Sequence, residues 1–231
     1  MTLKKLINSC EKAQVPFYGF EHLKQEELDY IHKNTRELSF KPGEMLCKQG
    51  SFASHIIVIT QGLAKIYFES QNSNDLILKI VSSGSFLGIS AIKNENVFRF
   101  SAMCYENTNV HLIDINVFQN LIESNPEFAS EVIKILNFDT AMNYERFFSL
   151  TSKQLHGRMA DILICLAKKI YKNKSFRITL SRSDLGEITN MSTESTIRVL
   201  KDFKDDNIIR LSGKNIEILD MDKLRHFSQV G

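Results

Sequence analysis

The chain has 231 residues, of which 43% are apolar and 24% charged, with a formal net charge of +2. That length leaves room for two modest domains with packed cores, and that composition excludes a disordered adaptor. No uninterrupted apolar stretch reaches membrane-spanning length, and the basic start MTLKKLINSCEKAQ lacks the long apolar segment of a secretory signal, so a cytoplasmic location away from membranes is expected.

Helical material is predicted from Leu3 to Glu11 and again from Glu21 to Asn34. Between Arg36 and Ile115 the apolar period shifts toward two. Leu38/Phe40, Ala64/Ile66/Phe68, Leu76/Leu78/Ile80 and Val110/Leu112 alternate with their neighbours, separated by Gly43, Gly50, Gly62, Gly84 and Gly88. Short strands with glycine-rich reversals predict a compact antiparallel roll or barrel able to enclose a small pocket. Asn116 to Glu123 reads as a short helix. Pro126 suits the first turn of a longer one, where its missing amide proton matters little.

From Phe128 to Leu150 the apolar set Phe128, Val132, Ile135, Phe138 and Met142 is joined by Ala129, Ile133, Leu136, Ala141 and Phe147, more than one helix face holds. Such a helix either packs against its own roll and a second copy of itself, or is buried wholly within one subunit. Ser149 to Ser152 is the expected hinge, and SLTSKQLHGRMADILICLAKKI restarts the helical pattern. The cysteines Cys10, Cys47, Cys104 and Cys165 form no close pair and read as ordinary reduced packing residues.

Charge is unevenly divided. Residues 1–150 hold 14 Lys and Arg against 17 Asp and Glu, a balance of −3, whereas residues 151–231 hold 15 against 10, a balance of +5. The second part is therefore the one suited to a polyphosphate. Lys168, Lys169, Lys172 and Lys174 within it serve equally well to solubilise a helix end.

The densest pattern lies between Gln154 and Asp222, in LSRSDLGEITNMSTESTIRVLKDFKDDNIIRLSGKNIEILD. Ser181 is placed to cap a helix carrying Leu185 and Ile188 inward, and Thr189-Asn190-Met191-Ser192 interrupts the period. Ser192 offers a second cap, with Ser195 rather than an acid three positions on, so this helix lacks a full capping box. Along it Ile197, Leu200 and Phe203 share one side, with Glu194, Arg198 and Lys201 on or near the other. Two short helices around a bend followed by a hairpin describe a helix-turn-helix whose second helix fits a DNA major groove.

This string resembles the DNA-binding signature of the Crp/Fnr family of bacterial transcription regulators, with NIIRLSGKNIEILD matching the family's winged hairpin. FKPGEMLCKQG, IIVITQGLAKIYF and VSSGSFLGIS, in that order upstream, look like pieces of its sensory β-roll. The resemblance implies an α+β fold: a cyclic-nucleotide-binding-like roll with flanking helices in residues 1–125, a dimerisation helix in 126–150, and a winged helix-turn-helix in 151–231. It implies a homodimer joined through Phe128, Val132, Ile135, Phe138 and Met142 that binds double-stranded DNA at an inverted repeat, with RNA polymerase as a further partner. Some relatives carry an iron-sulfur cluster on an amino-terminal run of cysteines, where this chain has only Cys10.

Carrying the recognition positions across places them at Thr193, Glu194, Ile197 and Arg198. Glu194 has the chemistry to accept from cytosine N4, Arg198 to donate twice to guanine O6 and N7, and Ile197 to touch a thymine methyl. An intrahelix Glu194–Arg198 ion pair is the competing account. Ser181, Arg182, Ser192, Ser195 and Lys201, with Arg210 and Lys214 on the wing, are candidates for phosphate contact or for plain solvated surface.

The effector region departs from the family pattern. Members that bind cyclic AMP hold its ribose with a glutamate and its phosphate with Arg-Ser. Here Gly88-Ile89-Ser90 places Ile89 at the acid's position, and Phe100 precedes Ser101, with Arg99 displaced by one. A displacement of one residue on a strand turns the side chain to the other face, and a buried phosphate without its charge partner is costly. Cyclic AMP is therefore not the expected effector. Phe86, Ile89, Phe98, Phe100 and Met103 either surround an apolar effector or fill the space themselves. His22, His32, His55, His111, His156 and His226 show no spacing that selects a haem ligand, and no cofactor is identified. The chain has no GxGxxG, P-loop, HExxH or nucleophile-elbow motif, so no enzyme is expected. A ligand-independent regulator or architectural protein that keeps the roll as a scaffold is the alternative.

Overall fold

A computed structural model describes residues 19–70, 75–93 and 95–231. The predicted helix from Leu3 to Glu11 and Cys10 lie outside the described residues. Among the described residues the chain divides into two compact units, one holding 19–70, 78–93 and 95–141, the other chiefly 142–231.

The first unit begins with a short 3-10 turn, Gly19–His22, and helix α1, Gln25–Lys33. Eight strands follow: β1 Thr35–Phe40, β2 Met45–Cys47, β3 His55–Gln61, β4 Leu63–Phe68, β5 Leu76–Ser82, β6 Phe86–Leu87, β7 Ser101–Cys104 and β8 Thr108–Asp114. They form two four-stranded sheets in the orders β1-β8-β3-β6 and β2-β7-β4-β5. The expected roll is present. At the β3–β4 reversal Gly62 adopts φ +105, and a Cβ there would stand 2.6 Å from the Thr108 Cα, so the tight turn tolerates no side chain.

Alternation predicted the inner residues of this roll unevenly. Ala64 and Ile66 are buried as expected, but Phe68 and Leu38 are exposed, and β5 buries Ile77 and Val81 more deeply than Leu76, Leu78 and Ile80. Lys79 explains β5. It shares the parity of Ile77 and Val81, yet its Nζ reaches Asp139 of the long helix at 2.8 Å, so the face that looked solvated is covered.

Helix α2, Ile115–Ser124, is capped by Asp114, whose carboxylate accepts from the Asn116 and Val117 amides. Helix α3, Pro126–Ser152, starts where Asn125 Oδ1 accepts from the Phe128 amide, with Pro126 in the first turn as predicted. Phe128 and Val132 are buried in the core of the roll unit, with Ile135 packed against it. Phe128 and Val132 therefore present no face to a second subunit, which corrects their expected place in a subunit interface, while Ile135 is only half-buried. Phe138 and Met142 are half-buried. The exposed large apolar side chains of α3 are Ile133, Tyr144, Phe147 and Phe148.

In the second unit helical geometry continues through Ser149–Ser152 and breaks at Lys153 and Gln154, immediately after the predicted hinge. Helix α4, Leu155–Cys165, then widens into a π turn, Leu166–Ile170. Strand β9, Ser175–Arg177, helices α5, Arg182–Thr189, and α6, Thr193–Asp205, strands β10, Ile209–Ser212, and β11, Asn215–Ile218, and helix α7, Met221–Val230, complete it. The three strands form one antiparallel sheet in the order β10-β11-β9. Among the described residues no helix is long and apolar enough to cross a membrane.

Candidate nucleic-acid interface

Helices α5 and α6 are set by local chemistry. Ser181 Oγ accepts from the Asp184 amide at 3.0 Å and Asp184 Oδ2 accepts in return from the Ser181 amide at 2.9 Å, a capping box on α5. Asn190 ends that helix in the left-handed conformation, φ 50. Ser192 Oγ then accepts from the Ser195 amide at 3.1 Å to start α6, with no reciprocal acid, as expected. Between the helices the approach is close. A Cβ on Gly186 would lie 2.7 Å from the Met191 carbonyl oxygen, so the bend depends on glycine there.

The core side of α6 consists of Thr196, Val199, Leu200 and Phe203. Ile197, which periodicity groups with Leu200 and Phe203 and the family resemblance places at a recognition position, is 51% exposed. A residue advances about 100° around a helix, which places Ile197 beside Thr193 and Lys201, with Glu194 and Arg198 next to them, on an arc of about 140° opposite the core. All five side chains are exposed. Among the described residues neither Glu194 nor Arg198 forms an ion pair, with the other or with any neighbour, so the intrahelix pair is not made and both ions are available.

The remaining candidates divide by what they already hold. Lys201 and Lys214 are exposed and form no ion pair among the described residues. Ser181 Oγ also donates to Asp184 Oδ2 at 2.6 Å, and Ser192 Oγ donates to Ser195 Oγ at 3.1 Å. Arg210 pairs with Glu217 across the hairpin at 2.5 Å. Arg182 donates to the Gly213 carbonyl at 3.3 Å, tying the start of α5 to the wing turn, and burial lowers its guanidinium from the ordinary value.

Sequence reasoning passed over Arg158 of α4. Its Nη1 donates to the carbonyls of Thr189 and Asn190 at 3.0 and 3.2 Å, placing a cation on the carboxyl end of α5 and bracing the bend from behind. Burial lowers this guanidinium too. Only a fold that brings α4 under the bend reveals it, because thirty residues of chain separate the partners.

In the roll, four of the residues expected around an effector, Phe86, Ile89, Phe98 and Phe100, belong to or pack against one hydrophobic core. Gly88 turns in the left-handed region, Ile89 and Phe98 are buried in the core, and Ser90 is exposed. Phe86 belongs to an aromatic group with Phe20 and Phe118, at ring-centroid distances of 6.2 and 6.4 Å. Phe100 packs edge-on to Phe98 at 6.2 Å. Arg99 points outward and pairs with Glu95 at 2.8 Å, while Met103 is half-buried on β7.

Ser101 is fully buried and its hydroxyl is already engaged. It donates to Glu69 Oε1 at 2.5 Å and accepts from the Gln49 amide at 2.9 Å, and the Glu69 amide donates to Gln49 Oε1 at 3.0 Å. Glu69 carried no signal in the sequence that linked it to Ser101. Nearby, burial pushes the Cys47 thiol up to about 12 and raises that of Cys104, so both stay protonated and unreactive near neutral pH.

Comparison with known proteins accounts for both units. Residues 157–227 match the model of the Crp-like helix-turn-helix domain, and residues 37–125 that of the cyclic nucleotide-binding domain. The transcriptional activator protein Anr of Pseudomonas aeruginosa is 24% identical over 199 residues, covering 84% of this chain and 80% of that protein. The fumarate and nitrate reduction regulatory protein of Vibrio cholerae is 24% identical over 227 residues, covering 96% and 89%. In fold the chain is similar to FixK2 of Bradyrhizobium japonicum, with a TM-score of 0.78 at 16% identity, covering 85% of this chain and 98% of that one.

Proposed function

The chain belongs to the Crp/Fnr family of DNA-binding transcription regulators, and we propose that it binds an inverted repeat as a homodimer, each protomer reading one half-site with α6. The exposed arc of α6, with two ions that form no ion pair among the described residues, carries this reading. Arg198 donates to guanine O6 and N7, Glu194 accepts from cytosine N4, Ile197 meets a thymine methyl and Thr193 borders the same edge. Lys201 and Lys214 contact phosphate, joined by Ser192 and Ser195 at the start of α6. Ser181, Arg182 and Arg210 reach phosphate only by giving up bonds they hold, and serve chiefly to hold the helices and wing in place.

The proposed division of labour is a roll in residues 1–125, a pairing helix in 126–150 and a reader in 151–231, with the bound regulator presented to RNA polymerase in the cytoplasm. The pairing face is formed by Tyr144, Phe147 and Phe148, which share one side of the last turns of α3. Cyclic AMP is not the controlling ligand. Ile89 and Phe100 offer neither acid nor cation, and the Glu69 carboxylate beside Ser101 repels a phosphate. A second reading, a regulator governed by its own concentration with the roll as a scaffold, is supported by the same closed bonds among Gln49, Ser101 and Glu69.

Selection from a random duplex pool tests the assignment. The expected product is an inverted repeat with TGA-like half-sites about one helical turn apart. A pool that returns no shared motif, or a protein that stays monomeric in light scattering both free and on DNA, contradicts it. Calorimetry with cyclic AMP is expected to show no binding, and tight binding coupled to a change in DNA affinity overturns that part.

A further inference from the structure

Asp161 of α4 is buried, and every lone pair of its carboxylate is used. Lys153 Nζ donates to both oxygens at 2.8 Å, Ser149 Oγ donates to Oδ2 at 2.7 Å, and Ser228 Oγ donates to Oδ1 at 2.5 Å. The third proton of Lys153 goes to the Ser228 carbonyl, also at 2.5 Å, and the lysine side chain is 8% exposed. Four segments of the second unit thus meet in one closed network: the last turn of α3, the two-residue break after it, α4 and α7.

One turn earlier on α4, His156 Nε2 faces Asp202 Oδ2 of α6 at 3.0 Å. Its ring lies against Phe203 of α6 and Phe227 of α7, at 5.6 and 6.0 Å, and those two phenyl rings are 5.3 Å apart. Phe227 and Ser228 are neighbours in sequence, so α7 joins the buried pair directly to the back of the recognition helix. Beside them a Cβ on Gly157 would stand 2.8 Å from the carbonyl carbon of Gly231, which leaves α4 and α7 little freedom to slide.

A buried ion pair is a poor device for stability alone, because apolar residues of similar volume commonly do as well; its distinctive contribution is a fixed geometry. Lys153 sits in the one place where the chain leaves helical geometry between α3 and α4. We propose that Lys153 and Asp161 are positioning residues for DNA recognition: their pair locks the direction in which α4 leaves α3, and through α7 the direction in which α6 is presented. This rests on the dimeric, inverted-repeat reading above.

Half-site spacing supplies a readout that a merely structural role does not move. In the full-length paired variant Lys153→Met/Asp161→Leu the site is apolar and packed, but the directional bonds are gone. Wild-type protein is expected to lose about thirtyfold in affinity when one base pair is inserted between half-sites, and the variant about threefold, with single-base preferences within each half-site unchanged. A folded, dimeric variant with the wild-type spacing penalty overturns the proposal while leaving the proposed function intact. A wild type indifferent to spacing overturns the inverted-repeat reading and the proposal with it. Should the paired variant fail to fold, Ser228→Ala keeps the ion pair and the lysine's bond to the residue-228 carbonyl, and removes the hydroxyl bond that ties Asp161 to α7. Its spacing penalty is expected to fall to about tenfold, and an undiminished penalty is equally fatal.

Discussion

On α6 Glu194 and Arg198 stand in solvent with no ion pair among the described residues, whereas in the roll Ser101 is fully buried and closes a ring of hydrogen bonds with Gln49 and Glu69. Both regions belong to a chain whose family regulates transcription, but they handle polarity in opposite ways. A free ion on a rigid helix is ready for a partner. A buried hydroxyl already bonded on both sides gives a ligand nothing without first breaking those bonds. The contrast is what supports the proposal that recognition lies on α6 and that an anionic ligand does not enter the roll interior.

Substitutions sharpen the contrast, since removing an engaged group lowers stability and leaves base preference alone, while removing a free one does the reverse. The largest effect belongs to Asp161→Ala, which strands the buried Lys153 ammonium. Denaturant unfolding is expected to show a loss of about 3–5 kcal/mol. Ser101→Ala comes next, at about 1–3 kcal/mol, because the Gln49 amide and the Glu69 carboxylate both lose a partner. DNA selected by that variant is expected to match the wild type. Ser181→Ala removes the cap of α5 and is expected to lower the unfolding free energy by about 1 kcal/mol.

Lys201→Ala is the mildest. It is expected to weaken all sequences alike and to reduce the slope of log affinity against log salt by about one, with no change in the melting curve. A sequence-dependent loss on Lys201→Ala, or a changed base preference on Ser101→Ala, breaks the contrast between engaged and free groups.

The parts legible in the sequence are those fixed within a few residues. Ser181, Asn190 and Ser192 announce where α5 and α6 start and stop, because a cap acts on amides two or three residues away. Pro126 marks the start of α3 for the same reason. The faces of α3 were not legible: Phe128 and Ile133 look equivalent in a string, and only packing puts one in the core and the other in solvent. Periodicity alone groups Ile197 with Leu200 and Phe203, although Thr196 takes the inner place and a threonine carries no apolar signal in the period. The network at Asp161 depends on Ser228, 67 residues away, and that at Ser101 on Glu69, 32 residues away, so no local pattern reports either.

The central claim is that Arg198 reads a base from an otherwise ordinary surface position. Binding of the wild type and Arg198→Ala should be measured on the selected duplex and on duplexes changed at one base at a time. The account predicts that the variant melts like the wild type and loses about 1–3 kcal/mol of discrimination at a single guanine in each half-site, with preferences elsewhere retained. An Arg198→Ala protein that keeps both its affinity and its full base preference contradicts the account.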